Sequence, residues 1–216
     1  MAIETGFERH FHRRVTSADE LSELIGEPSE LSIKKQLPEL DSHMKTFIAE
    51  SPFLLIGTFN RDGCCDVSPR GDAPGSVKVI DSRTLVIPDR RGNRRVDSLR
   101  NIIETGRIGI LFLIPGLGET LRVNGRACLI RDDEILASFA VGEKQPLIGI
   151  AVEIEECFLQ CAKAIIRSKL WDSNKECLTS ALPCFAEILN DQAKIVGQST
   201  ESLSRQIEES YANFLY

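Results

Sequence analysis

Residues 88–101 read Pro-Asp-Arg-Arg-Gly-Asn-Arg-Arg-Val-Asp-Ser-Leu-Arg-Asn, and they follow a strand-like apolar run at Thr84–Ile87. Pro88 ends that run because it lacks the N–H that a sheet needs, and Gly92 marks a turn. Beyond the turn the apolar residues recur at helical spacing. The stretch therefore predicts a strand, a turn and the start of a helix. The apolar residues at this spacing are Val96, Leu99, Ile102 and Ile103.

Five arginines surround the predicted helix start, and two aspartates oppose them. We expect Asn93 to cap the helix, since its short side chain can accept hydrogen bonds from the first free amides. A helix N-terminus carries free N–H groups and a partial positive charge, and guanidinium groups bind phosphate or carboxylate strongly. From these residues alone, two interpretations of the segment carry equal weight: an anion-binding site and a solvated, salt-bridged surface loop. The charged residues are Asp89, Arg90, Arg91, Arg94, Arg95, Asp97 and Arg100.

The composition is that of an ordinary globular protein: 216 residues, 42% hydrophobic and 27% charged, with a net charge of −6. Nucleic-acid binding is disfavoured because it usually needs a basic face, so the arginines point to a small anion. No apolar run is long enough to span a bilayer, and the first residues contain no apolar signal core. We therefore expect a cytoplasmic protein with neither a membrane nor a nucleic-acid partner.

The chain has seven cysteines but only three histidines, His10, His12 and His43, all in its first fifth. We therefore expect free thiols, no metal site and no histidine-based nucleophilic triad. A Walker loop and a complete dinucleotide fingerprint are absent from the sequence. Catalytic residues stay unknown at this stage. Any demanding chemistry would come from a bound cofactor, and one with a phosphate tail suits the arginines.

Short strands dominate the middle of the chain. Phe53–Phe59 reads as a buried strand, Asp62-Gly63 as a hairpin turn, and Pro69 places the returning strand at a sheet edge. The continuous apolar run Arg107–Ile114 predicts a central strand, and Glu119–Ile130 alternates between apolar and polar residues. About six strands, with one inserted helix and helices at both ends, predict a mainly β protein built on a small antiparallel barrel.

Helices are predicted on both sides of the barrel. Ser17-Ala18-Asp19-Glu20 has the pattern of a capping box, and Asp41 begins a helix with an apolar face. The predicted organisation is an N-terminal helical arm at 1–50, a barrel domain at 51–172 and a C-terminal helical extension at 173–216.

Several runs of residues together resemble those of one known family. The chain resembles the pyridoxamine 5′-phosphate oxidase-like, FMN-binding split-barrel family, and within it a bacterial branch, over nearly its whole length from about Ser17. The resemblance implies a homodimer of six-stranded split β-barrels with FMN bound between the subunits. The runs are Ser51–Phe53, Cys65–Asp72, Ile87–Arg95, Leu113–Gly116, Glu119–Gly125, Cys161–Ala164, Ser168–Trp171, Glu208–Tyr211 and Leu215-Tyr216.

The resemblance also implies which residues bind the cofactor. Arg70 matches a basic residue near the flavin or its phosphate, and Ser68 and Pro88 would line the isoalloxazine ring through their backbone. The residues implied to hold the phosphate are Asn93, Arg94 and Arg95, with Ser98 one turn further on.

Four more implied residues would act across the dimer. Thr120 and Arg122 lie on the strand whose face would meet the cofactor, and Lys163 and Trp171 would reach it from the second subunit. The plainer alternatives are that Arg122 is a solvated surface charge and that Trp171 only packs in a core or interface.

The chain departs from the true oxidase in lacking its C-terminal Arg-x-His element, so oxidation of pyridoxamine phosphate is not expected. Our leading interpretation is an FMN-dependent oxidoreductase acting on an unknown small substrate. The alternatives are a non-enzymatic carrier or sensor that holds flavin, deazaflavin or haem, and a structural dimer with an empty pocket.

Overall fold

The computed structural model of this protein describes residues 10–172, 183–194, 197–213 and 215. Parts of the predicted N-terminal arm (1–9) and C-terminal extension (173–182, 195–196, 214 and 216) lie outside these residues. The strands are β1 (Phe53–Phe59), β2 (Cys65–Gly71), β3 (Lys78–Val79), β4 (Thr84–Pro88), β5 (Arg107–Leu113), β6 (Thr120–Ile130) and β7 (Gly149–Gln160).

The described strands form one antiparallel sheet in the order β2-β1-β5-β6-β7-β4-β3. The mainly β fold of the split-barrel class is therefore confirmed, although the described residues form seven strands where six were expected. The two-residue β3 pairs only with β4, at one edge of the sheet.

Helices precede, interrupt and follow the strands along the chain. They are α1 (Ala18–Ile25), α2 (Glu30–Lys34), α3 (Ser42–Glu50), α4 (Asp97–Thr105), α5 (Asp133–Ala137), α6 (Lys163–Ser168), α7 (Phe185–Ala193) and α8 (Thr200–Asn213). No helix in the described part of the chain is long and apolar enough to cross a membrane.

Two helix starts follow the predicted capping chemistry. The Ser17 hydroxyl accepts a hydrogen bond from the Glu20 backbone N–H at 3.1 Å, and the Asp41 carboxylate accepts one from the Met44 N–H at 2.8 Å. The described residues up to Gln36 form one compact unit, and those from Leu37 onward form the other. The two predicted boundaries between the three segments stay predictions.

The β1–β2 hairpin forms where Asp62-Gly63 predicted it. Gly63 has a φ of +82°, which glycine adopts without the steric cost of a Cβ, and its N–H donates to the Asn60 carbonyl. Strand β2 pairs only with β1, so Pro69 lies on an edge strand as expected. β5 lies between β1 and β6, which confirms Arg107–Leu113 as a central strand.

Strand β6 runs across the middle of the sheet with alternating burial. Leu121 and Val123 are fully buried, whereas Arg122 and Arg126 are exposed. The pairing of β6 with β7 shifts register between Asn124 and Gly125. The core comprises the inward-facing residues of these strands and the apolar faces of α3 and α4, including Ile48, Ile56, Leu85, Ile102, Phe112 and Ile154.

Candidate functional site

The segment between β4 and α4 does not form the cap that its sequence suggests. Helix α4 begins at Asp97, and its N-cap is Val96, which makes no side-chain capping bond. The Asn93 carboxamide oxygen instead accepts from the Arg95 N–H at 3.0 Å. The prediction that Asn93 caps this helix is therefore wrong. Arg94 and Val96 have φ values of 62° and 54°, so two left-handed residues separate Asn93 from the helix.

The two left-handed residues give this loop an unusual backbone. A β-branched residue such as Val96 rarely adopts positive φ, so the surrounding structure must hold it there. Arg94 and Val96 alternate with Arg95, whose φ is not positive. The Arg95 N–H already donates to the Asn93 side chain, so it is not available to an anion. The donors that the loop offers are therefore its guanidinium groups and its other backbone N–H groups.

A cavity of about 1380 Å³ opens beside this loop, between the ends of β2 and β4. Its other walls are the start of α4, the segment 143–148, and the end of the chain at Asn213 and Leu215. A pocket for one drug-sized ligand usually measures about 300–1,000 Å³, so this one has room for a cofactor and a second small molecule. Seven of the predicted residues line it: Ser68, Arg70, Pro88, Asn93, Arg94, Arg95 and Ser98.

Two ion pairs cross the floor of the cavity. Arg70 pairs with Asp89, and the Arg90 Nε atom lies 2.6 Å from the Asp72 carboxylate. Arg70 and Asp72 belong to the end of β2, whereas Asp89 and Arg90 follow β4. Since β2 and β4 are not neighbours in the sheet, the two pairs connect its opposite sides and help close it around the cavity. The charges of Arg70 and Arg90 are thus balanced by the protein itself.

The Arg70 guanidinium nevertheless has spare hydrogen-bonding capacity. Its Nε atom is buried and has no partner, and it is the only such side-chain nitrogen or oxygen within the described residues. A buried donor without a partner costs about 1–3 kcal/mol, so natural proteins rarely retain one unless a ligand or water satisfies it. Ser98 is also buried and lines the same cavity. These donors, with the arginine loop, fit a cofactor that carries a phosphate.

The two arginines predicted to hold a phosphate differ in their surroundings. Arg95 is 76% exposed, and its Nε lies 2.8 Å from the Asp97 carboxylate, which raises the pKa of the Arg95 guanidinium. Arg94 has no carboxylate partner among the described residues, and it lines the cavity. Arg94 therefore supplies the uncompensated positive charge of the loop.

The other four predicted residues lie outside this cavity. The Thr120 hydroxyl donates to Gln160 Oε1 at 3.1 Å, and the Arg122 guanidinium lies 5.6 Å from the centre of the Phe158 ring. The Trp171 indole N–H donates to the Leu117 carbonyl at 2.8 Å, and Lys163 is the first residue of α6. Their assignment to a site shared between two subunits stays a prediction.

The family of the chain follows from comparison with known proteins. Residues 40–161, more than half of the chain, match the family model described as pyridoxamine 5′-phosphate oxidase. The chain belongs to the pyridoxamine 5′-phosphate oxidase family. The matched residues contain the whole sheet and the arginine loop, so the resemblance drawn from the sequence runs is confirmed. Among curated proteins, none matches this chain in sequence.

Solved structures of three proteins are similar to part of this chain. HupZ of Group A Streptococcus is 17% identical, with 56% of this chain and 94% of that chain covered, at a TM-score of 0.46. An FMN-binding protein from Syntrophomonas wolfei is 14% identical, with 53% of this chain and 82% of that chain covered, at a TM-score of 0.42. The FAD binding protein from Mycobacterium smegmatis is 16% identical, with 57% of this chain and 97% of that chain covered, at a TM-score of 0.39.

Sequence reasoning missed a polar network behind the cavity of this family member. Asn101 is buried in α4, and its side-chain amide donates to Thr58 Oγ1 at 3.1 Å and to Asp66 Oδ2 at 2.7 Å. Asp66 in turn lines the cavity. A polar residue on the buried side of an amphipathic helix is the one sequence signal that could have indicated this network.

Proposed function

We propose that this protein binds FMN in the cavity beside the arginine loop and uses it as an oxidoreductase acting on a small substrate. The observation that carries the proposal is the buried, unpartnered Nε of Arg70 in a cavity whose rim holds the uncompensated Arg94. Membership of the pyridoxamine 5′-phosphate oxidase family supports the same assignment.

Different residues of the chain would bind the phosphate and the flavin ring. Arg94 and the N–H groups of the left-handed loop would hold the phosphate, with the Ser98 hydroxyl as a further donor. Asn93 and Arg95 would contribute less, because Asn93 is occupied by the Arg95 N–H and Asp97 already neutralises Arg95. The ends of β2 and β4, at Ser68 and Pro88, would lie against the flavin ring.

When bound, the flavin supplies hydride transfer, and the protein supplies charge, orientation and exclusion of water. The Arg70 donor would favour negative charge on a reduced ring. No histidine, cysteine or tyrosine lines the cavity within the described residues. Of the five carboxylates that do, Asp72, Asp89 and Asp97 are held in ion pairs. We therefore assign no general acid or base, and we do not propose oxidation of pyridoxamine phosphate.

We further propose that the active form is a homodimer. Val67 of β2 lines the cavity and is 71% exposed, and four apolar residues are exposed near the β5–β6 turn and α6. A second copy of the chain that covered these surfaces would bring Thr120, Arg122, Lys163 and Trp171 toward a shared site. We expect this dimer to act in the cytoplasm. The four exposed residues are Leu117, Ile166, Leu170 and Trp171.

The first test is a visible absorption spectrum of purified protein after FMN has been added and the excess removed. A retained flavin spectrum, shifted from that of free FMN, supports the assignment. Protein that retains no flavin at high concentration contradicts it.

A non-enzymatic flavin carrier or sensor is the second candidate, and the lack of a histidine, cysteine or tyrosine in the described lining favours it. The discriminating measurement is the rate at which NADH or NADPH reduces the bound flavin and a second acceptor reoxidises it. Repeated turnover identifies an enzyme. Flavin that stays bound but is not turned over identifies a carrier or sensor.

A further inference from the structure

One carboxylate of the large cavity differs from the others in its surroundings. Five carboxylates line the cavity, and Asp72, Asp89 and Asp97 are each paired with an arginine. Glu143 is exposed at the rim. Asp66 is half-buried in β2, and it forms no ion pair with any residue that the structure describes. Asp66 is therefore the one half-buried carboxylate of the described lining whose charge no neighbouring cation contacts.

Buried polar groups hold the Asp66 side chain in place. The Asn101 side-chain amide donates to Asp66 Oδ2 at 2.7 Å and to Thr58 Oγ1 at 3.1 Å. Asn101 is 5% exposed and Thr58 is 3% exposed, so neither side chain has room to change its rotamer. An acceptor that is already fixed loses little conformational entropy when a ligand binds to it. The Asp66 carboxylate is thus preorganised for a ligand.

The second oxygen of this carboxylate is accessible. Asp66 Oδ1 accepts no hydrogen bond from the described residues, and it is not a buried atom, because the Arg70 Nε is the only buried side-chain nitrogen or oxygen there that lacks a partner. An ionised carboxylate can only accept hydrogen bonds. The ligand group that suits this oxygen is therefore a donor, such as a hydroxyl.

Asp66 lies between the parts of the cavity that the proposed function assigns to the flavin ring and to the phosphate. Ser68, assigned to the ring, is two residues further along β2 and lies on the same face of the strand. Ser98, assigned to the phosphate, is one helical turn before Asn101, which contacts Asp66. A ligand that reaches from Ser68 to Ser98 would pass the Asp66 carboxylate.

We propose that Asp66 accepts a hydrogen bond from a hydroxyl group of the ribityl chain, which joins the flavin ring to the phosphate. A carboxylate binds the ribose hydroxyl of NAD in the same way in dinucleotide-binding folds. Asp66 is then a specificity-determining residue, since it favours a ligand with a hydroxylated chain over a ring alone. This inference rests on the proposed function, because it concerns the same cavity.

Simple electrostatics predicts an effect of the opposite sign. A hydrogen bond from Asp97 is the main cause that raises the pKa of the Arg95 guanidinium, and the charge of Asp66 makes a smaller contribution. Asp66 thus lies within electrostatic range of the arginine loop. If it acted only through its charge, it would repel the phosphate, and its removal would tighten FMN binding. If it accepts a hydrogen bond from the ribityl chain, its removal weakens binding.

The test compares three flavins in fluorescence titrations of the full-length protein. FMN carries the ribityl chain and the phosphate, riboflavin carries the chain alone, and lumiflavin carries neither. Asp66→Ala should weaken the binding of FMN and of riboflavin by about tenfold each, the loss expected for a hydrogen bond to a charged group. The affinity for lumiflavin should not change.

Two further variants make the result specific. Asp66→Asn keeps an oxygen that can accept from Asn101, so it should fold even if Asp66→Ala does not, and it should show a smaller loss with the same two flavins. Glu143→Gln removes the charge of an exposed carboxylate at the same cavity and should bind all three flavins as the wild type does.

Three results would overturn the inference for a folded Asp66 variant: wild-type affinity for FMN and riboflavin, tighter binding of FMN, or a loss of lumiflavin affinity equal to that of riboflavin. In each case the wild type still binds flavin, so the proposed function survives. A wild-type protein that binds none of the three flavins would overturn the proposed function together with this inference.

Discussion

Arg70 and Asp89 form an ion pair between β2 and the residue that follows β4, two strands that lie far apart in the sheet order. In a second pair, Arg90, which follows β4, contacts Asp72, which follows β2. The end of β2 and the end of β4 therefore each supply one cation and one anion. The pairs connect the two sides of the sheet at the cavity and leave the Arg70 Nε buried without a partner. Closure and ligand binding thus use the same guanidinium group.

Removal of one carboxylate from these pairs should destabilise the fold. Asp72 is 7% exposed, and it also accepts from the Ala73 N–H at 2.8 Å. Asp72→Ala removes the carboxylate from a nearly buried ion pair, so we expect a loss of about 3 kcal/mol in the free energy of unfolding. Urea denaturation measures this change. The control is Glu155→Ala in the exposed pair with Arg107, which should cost about 1 kcal/mol or less.

The β6–β7 register shift should be intolerant of a side chain at Gly125. A Cβ built there would lie 2.1 Å from the Glu153 carbonyl oxygen, which is backbone and cannot move aside. We expect Gly125→Ala to cost about 3 kcal/mol or more in stability, at the upper end of overpacking effects. Gly57→Ala in β1 is the matched control, because its Cβ would meet nothing closer than 3.8 Å. Equal melting temperatures for the two variants would contradict the register seen here.

The Asn101 network should contribute both stability and geometry to the site. Asn101→Ala removes a buried hydrogen bond to Thr58 and a partly buried one to the Asp66 carboxylate, and it should lower the free energy of unfolding by about 2–3 kcal/mol. Thr58→Ser keeps the hydroxyl acceptor and should cost less than half as much. Chemical denaturation of both variants gives the comparison, and similar losses in the two would argue against the network.

Alkaline pH should destabilise the protein through Cys157. Burial, with smaller contributions from Asp41, Glu156 and Glu39, raises the pKa of this thiol from 9.0 to about 11. Between these values the folded chain keeps a proton that the unfolded chain releases. The free energy of unfolding therefore falls by about 2–3 kcal/mol as the pH rises from 9 to 11, and the full contribution is present below pH 9.

The comparison of two cysteine variants isolates this effect. In Cys157→Ala the free energy of unfolding should fall less steeply between pH 9 and 11 than in the wild type. Cys128→Ala, at an exposed position, should keep the wild-type slope. Denaturation under reducing conditions at pH 8, 9, 10 and 11 gives the slopes. A slope in Cys157→Ala as steep as in the wild type would show that other groups carry the dependence.

Local chemistry made much of the fold predictable from the sequence. The caps at Ser17 and Asp41, the Asp62-Gly63 hairpin and the alternation in β6 each depend on residues within a few positions of one another. The cap expected at Asn93 failed because nothing in the sequence shows that Arg94 and Val96 adopt left-handed backbone. That conformation depends on contacts made by the folded loop.

The parts of the site that the sequence did not reveal are long-range. The pairing of Asp89 with Arg70 and of Asp72 with Arg90 exists only once the ends of β2 and β4 are brought together in the fold. Asn213 and Leu215 reach the cavity from the end of the chain, more than 100 residues beyond the arginine loop. No periodicity or local motif encodes such contacts.

The central claim is that Arg94 holds the phosphate of bound FMN, and the most direct measurement is the FMN dissociation constant of Arg94→Ala by fluorescence titration. We expect binding weakened by about ten- to a hundredfold, the value of a charge-assisted hydrogen bond, with riboflavin affinity unchanged because riboflavin has no phosphate. Arg100→Ala, in the same helix region but outside the cavity, should bind FMN as the wild type does. Wild-type FMN affinity in Arg94→Ala would contradict the account.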